Sequence, residues 1–306
     1  MRALILLFLV LAVPLAAANP SQALSPRGLL VDGEAVPYTV FAAFPLPDEP
    51  VRVEPRGGPA GWTAQAAAGQ LTETAQGWTW SHAQAGGPYA LTLEDPQGTH
   101  WTLNVFVRVP AGQVVDGVLE GYRIGHYPAK PLKGEAIYLP PRGFVRVTRE
   151  NEKTPVSPHF TLGEFLAKQV SAYPKFLVLR PRLLIKLEHL VESLHAEGID
   201  RDQLRIMSGY RTPHYNKAIG NVPYSRHVYG GAADIYIHRG GSQSGSSGGW
   251  GDVTDVRMLH RVALAVTEQS DQRHLEGGLG LYRANRVRGP FLHVDVRGTP
   301  ARWGAL

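Results

Sequence analysis

The chain has 306 residues, a net charge of +5 and no cysteine. The missing thiols exclude disulfides, thiolate metal ligands, a cysteine nucleophile and a lipid-modified cysteine, and the length suits two domains at about 100 to 200 residues each. The 31 Lys and Arg against 26 Asp and Glu form no long basic run, so they read chiefly as a solvated surface with some attraction for a carboxylate-rich polymer.

In chain order, the apolar run from Ala3 to Val13, then Pro14 and Ala16-Ala17-Ala18 before Asn19, has the layout of a secretory signal spanning 1–18. The expectation is an exported product, in the periplasm or cell envelope, with no nucleic-acid partner and no transmembrane segment after the signal, unless the apolar run is kept as an anchor. Residues 19–110 alternate in Trp78-Thr79-Trp80, Tyr89-Ala90-Leu91-Thr92-Leu93 and Trp101 to Val107, broken by Gly-Gly-Pro and Pro-Gln-Gly. That pattern predicts short antiparallel strands in a small sandwich-like all-β domain, its aromatics serving as core. Residues 111–158 read as a connector with hairpins, punctuated by Gly and Pro.

From 159 to 306 the period changes. Thr161-Leu162-Gly163-Glu164 reads as a capping box opening a short helix. Arg180-Pro181 opens a longer one with Leu183, Leu184, Leu187, Leu190, Val191 and Leu194 on one face. A strand is expected at 204–207, followed by a turn at Ser208-Gly209-Tyr210-Arg211-Thr212-Pro213. Further strands are expected at 232–238 and 291–296, with a helix over about 254–268 between them. The Gly/Ser segment 239–249 reads as a solvated, flexible insertion. The fold class is therefore α+β.

Two distant segments carry the chemistry. Ser225-Arg226-His227-Val228-Tyr229-Gly230-Gly231-Ala232-Ala233-Asp234 and Phe291-Leu292-His293-Val294-Asp295 offer two imidazoles and a carboxylate, His227, Asp234 and His293, to one metal. Three such ligands suit a catalytic zinc that keeps its fourth position for water. Nine of the twelve histidines have no partner pattern and read as structural; His238, on the facing of Asp234, is a candidate for a supporting or substrate contact.

Ser208-Gly209-Tyr210-Arg211-Thr212-Pro213, Asn216, Ser225-x-His227-x-x-Gly230-x-Ala232-x-Asp234, Gly280-x-Tyr282 and His293-x-Asp295 together resemble the zinc D-Ala-D-Ala carboxypeptidase family, particularly its murein endopeptidase branch, over about 155–306. The resemblance implies a small antiparallel sheet at one zinc ion, as in hedgehog and lysostaphin-type folds, and cleavage of peptidoglycan stem peptides or cross-links. Strand alternation puts Asp295 on the facing of His293, which makes it the candidate general base. Some relatives carry a glutamate three residues before the last histidine; here that position is Pro290. Arg211, in the matched turn, is expected to stabilise the oxyanion or clamp a substrate carboxylate. Ser208 and Asn216 are expected to fix the loop or touch the peptide, and Tyr210, Tyr229 and Tyr282 to line a groove or pack. The alternative reading is an inactive murein-binding or hydrolase-regulating envelope protein.

Overall fold

The computed structural model describes residues 28–240, 249–268 and 274–305; the expected signal and most of the 239–249 insertion lie outside them. The protein is mixed α+β, with few helices and several small sheets. Two sheets hold the first third of the described chain. One runs in the order Glu34–Val36, Leu29–Val31, Val51–Pro55, Gly77–Ser81, Gln70–Thr74, every neighbour antiparallel. The other runs Val40–Ala43, His100–Val107, Gly86–Glu94, Thr63–Ala66, its first pair parallel. Alternation drives burial here: Val51 and Val53 are buried while Arg52 between them is exposed. Trp78, Trp80 and Trp101 are buried as well, so these aromatics serve the core.

The strand Gly143–Val147 pairs on one edge with Val109–Pro110 and on the other with Lys175–Leu177. It thereby fastens the segment expected as a connector to both its neighbours. Buried apolar residues from Leu29 to Val296 join one cluster.

The capping box at Thr161 and Glu164 forms, on a single 3-10 turn, Leu162–Phe165. The long helix Pro181–Ala196 starts at its proline and buries all six residues of the expected stripe. It also buries Lys186 and Glu188 completely. The Lys186 ammonium donates to the carbonyls of Leu275 (3.1 Å) and Asp295 (2.8 Å), and burial pushes its pKa down to about 8. A buried amine bonded to the end of the strand that carries His293 fixes helix and strand to one another.

The decisive element is a five-stranded sheet ordered Leu204–Ser208, Ala232–Ile237, Phe291–Asp295, Gly278–Tyr282, Ala301–Trp303. Its first four strands are antiparallel and the last is parallel to its neighbour. Ala233, Ile235, Ile237, Leu292 and Val294 turn one way into the apolar cluster, which also holds Val256, Leu259, Val262 and Val266 of the helix Val253–Glu268. With a period of two, Asp234, His293 and Asp295 turn the other way. Register then sets Asp234 opposite His293 on adjacent strands.

Three elements depart from the sequence reading. The expected turn at Ser208 to Pro213 leads into a short helix, Pro213–Ala218, because Thr212 caps it by accepting from the Tyr215 amide at 3.0 Å and Pro213 occupies its first position. Strands at Gly278–Tyr282 and Ala301–Trp303 carry no readable alternation. The reason is visible at Gly280, where an added Cβ would lie 2.3 Å from the Trp303 ring: the side chain that fills this place comes from the neighbouring strand.

Candidate metal centre

His227 sits in the 3-10 turn Arg226–Tyr229, which ends at Gly230 in the left-handed conformation (φ +68°). An added Cβ there would lie 2.4 Å from the Val178 carbonyl oxygen. Gly230→Ala is therefore expected to lower the unfolding free energy by at least about 1–2 kcal/mol from backbone strain alone, and to weaken metal binding by displacing His227. A urea titration together with a zinc titration checks both, and an unchanged midpoint would contradict the argument.

The His227 Nε2, the Asp234 Oδ1 and the His293 Nδ1 converge. Nε2 of His227 lies 3.1 Å from Asp234 Oδ1 and 3.1 Å from His293 Nδ1, and the latter is 2.9 Å from Asp234 Oδ1. All three residues are buried.

Each donor is braced from behind. His227 donates through Nδ1 to the Gly209 carbonyl at 2.6 Å, which leaves a lone pair on Nε2. The far nitrogen of His293, Nε2, is 3.2 Å from the Asp295 carboxylate, which leaves a lone pair on Nδ1. These tautomers follow from the partners. The outer oxygen of Asp234, Oδ2, accepts from Arg211 Nη2. Two imidazole lone pairs and a carboxylate oxygen thus face one point, an arrangement that repels itself unless a cation lies among them. The donor set and its bracing fit a zinc ion.

Protons shared among the same atoms are the alternative to a cation, and the electrostatics describe that case. Burial raises the Asp234 pKa, but the charge and hydrogen bonds of His227 and His293 outweigh it and hold the carboxyl well below the usual range. Burial keeps His227 below the ordinary histidine value. It acts in the same direction on His293, yet hydrogen bonds to Asp234 and Asp295 leave that ring raised.

Asp295 reaches the centre from behind His293. It shares a facing with His293, as expected, but it lies against the ring nitrogen that points away from the metal-facing atoms. Its remaining capacity is taken by the Gly278 amide (2.8 Å), the Arg297 amide (3.0 Å) and the Arg297 guanidinium (2.6–3.0 Å). It is fully buried. Although burial raises its pKa, the hydrogen bonds from His293 and Arg297 hold it far below the carboxylate range. A carboxylate so placed orients the His293 ring.

Arg211 is brought to the centre. Its Nε donates to Ser208 Oγ at 2.9 Å and its Nη2 to Asp234, while Nη1 makes no hydrogen bond within the described residues. Ser208 positions Arg211 and is not in the pocket wall. Asn216 is also outside it: its amide donates to the Val222 carbonyl at 2.9 Å, closing the loop that brings Asn221 and Val222 to the pocket. Neither lines this pocket. Tyr282 lines the pocket, whereas Tyr210 bonds to Tyr127 in the interior and Tyr229 is buried. His238 ends its strand in a bridge to Trp250 and does not reach the centre.

Over the ligands opens a pocket of about 380 Å³. Several of its walls were not foreseen: Tyr138, Tyr224, Arg226, Arg288, Arg297 and Trp303. The Trp303 ring lies 5.2 Å from that of His293 and donates to the Tyr282 hydroxyl at 3.0 Å. Tyr138 arrives from the segment expected as a connector. No local pattern announces residues delivered by loops from such distances. Among the described residues Asp234 is the single carboxylate in the wall.

Residues 158–244 match the model of the Peptidase M15 family, which bears out the resemblance to zinc D-Ala-D-Ala carboxypeptidase-like enzymes. The match includes His227 and Asp234 and ends before His293; the fold supplies the third ligand. No curated protein and no solved structure gives a significant match to the chain.

Proposed function

We propose that the protein is an exported zinc metallopeptidase of the cell envelope that hydrolyses amide bonds of peptidoglycan stem peptides or cross-links, of the D-Ala-D-Ala carboxypeptidase or endopeptidase type. The carrying observation is the convergence of His227, Asp234 and His293, each braced from behind, beneath an open pocket within a Peptidase M15 match. His227, Asp234 and His293 would hold one zinc ion, which when bound acts as a Lewis acid on water and on the scissile carbonyl. Arg211 fixes the Asp234 carboxylate with one nitrogen and keeps Nη1 for negative charge developing on the carbonyl oxygen. Asp295, with Arg297 behind it, keeps the His293 proton on Nε2. Tyr138 and Tyr224 form part of the pocket wall. No helix among the described residues is long and apolar enough to cross a membrane.

One observation favours a second reading, a murein-binding or hydrolase-regulating envelope protein: among the described residues the wall holds no carboxylate besides Asp234. Purified murein incubated with the wild type and with His227→Ala separates the two. The peptidase reading expects soluble peptides from the wild type alone, with mass spectrometry naming the bond. Sacculus binding by both proteins without release of peptides would establish the second reading.

A further inference from the structure

Four arginines, Arg211, Arg226, Arg288 and Arg297, stand in the pocket wall against one carboxylate. Three of them are committed. Arg211 holds Asp234 and Arg297 holds Asp295. Arg226 donates to the Ile137 carbonyl at 3.2 Å and lies over the rings of Tyr138 and Tyr229, with its Nε and Nη2 unbonded but enclosed in the protein, away from the pocket opening. The Arg288 guanidinium has no carboxylate and no hydrogen bond within the described residues. It lies 4.2 Å above the Phe291 ring, which stacks on Tyr282 with ring centres 4.5 Å apart.

The loop that presents Arg288 is held in place. Asn285 Oδ1 accepts from the amides of Val287 (2.9 Å) and Arg288 (3.0 Å), and the Asn285 amide donates to the Arg288 carbonyl at 2.9 Å. At Gly289 the chain passes so close to Trp250 that a Cβ would lie 2.5 Å from it. An aromatic platform orients the guanidinium plane without using its donors.

Position gives the charge a meaning. Phe291 and His293 are two apart on one strand, so their side chains rise on one face about 7 Å apart. Beyond His293 in the other direction stand Asp295 and Arg297, already neutralised by one another. The pocket is thus electrically lopsided, with the half-buried Arg288 fork, which no carboxylate among the described residues neutralises, at its Phe291 end.

We propose that Arg288 forms a carboxylate subsite, which binds a free carboxylate of the peptide substrate on the Phe291 side of the scissile bond. The inference rests on the peptidase reading. A planar fork matches a carboxylate through two parallel hydrogen bonds, and carboxylates are the anionic groups of peptides. A charge-assisted pair of this kind is expected to change affinity by about 10- to 100-fold.

The test uses two synthetic stem peptides that differ at one position beside the cleaved bond, a free carboxylate in one and a primary amide in the other. Wild type, Arg288→Gln and Arg286→Gln, the last altering an exposed arginine of the same loop, are assayed for KM and kcat, and for binding of both peptides by calorimetry. The wild type and Arg286→Gln should favour the carboxylate peptide by about 10- to 100-fold, mainly in KM. Arg288→Gln should lose that preference. Equal use of both peptides by the wild type, or loss of preference in both variants, would overturn the subsite. Should no peptide be cleaved, the peptidase reading fails while calorimetry still decides: a carboxylate preference removed by Arg288→Gln alone supports the subsite, and any other pattern refutes it.

Discussion

Asp234→Ala should lose zinc binding, release no peptide from murein, and unfold about 3–5 kcal/mol more easily than the metal-free wild type, a magnitude set by breaking a buried charge pair from one side. The carboxylate meets Arg211 through one oxygen and both imidazoles through the other. Its removal strands the Arg211 guanidinium, which is only 9% exposed. The pH dependence has a definite sign. Because the folded pKa of Asp234 lies well below its ordinary value, its contribution is fully present above about pH 4 and is lost as pH falls toward the folded value. The gap between wild type and variant should therefore narrow as pH falls from 5 into acid, and narrow again as pH rises from about 6.5 toward 8, because His293 is raised partly by Asp234 and loses its proton there. Urea titrations of metal-free protein across that range measure it. A gap below about 1 kcal/mol at pH 7 would show that Arg211 finds another partner.

The same residues show how far sequence reasoning reaches. Asp234 and His293 were legible because strand alternation fixes facing, and His227, in a 3-10 turn, from its spacing within the motif that resembles the peptidase family. The long helix was legible from its apolar stripe, and the Trp-rich strands from alternation. What stayed hidden has two physical sources. Strand edges filled from a neighbour, as Trp303 fills the place above Gly280, erase the local pattern. Loops deliver Tyr138, Tyr224 and Arg288 from separations that no spacing rule covers. Asp295 illustrates a subtler limit. Its facing was read correctly, yet its role depends on which imidazole nitrogen of His293 looks at the metal point. That is a rotation about the side chain, invisible in alternation.

Asp295→Asn isolates that distinction. In the wild type the Gly278 and Arg297 amides donate to Oδ1, while the Arg297 guanidinium shares Oδ2 with His293, so an asparagine that keeps its oxygen on the two amides turns its NH2 toward His293. An NH2 beside Nε2 forces the imidazole proton to Nδ1, the atom that faces the metal point. Zinc affinity should then fall about 10- to 100-fold, as for other losses of a partner behind a metal ligand. Activity should largely return when zinc is added in excess. A general base behaves otherwise: its loss lowers kcat by about 10²- to 10⁴-fold at any zinc concentration. The pH profile discriminates again, because Asp295 is held ionised far into acid and cannot supply a limb near neutrality. Unchanged zinc affinity with a collapsed kcat would return Asp295 to the role its facing first suggested. Recovery by zinc would instead mean that the proton acceptor is a group the pocket does not hold as a carboxylate, with the burden of charge falling on Arg211 and the metal.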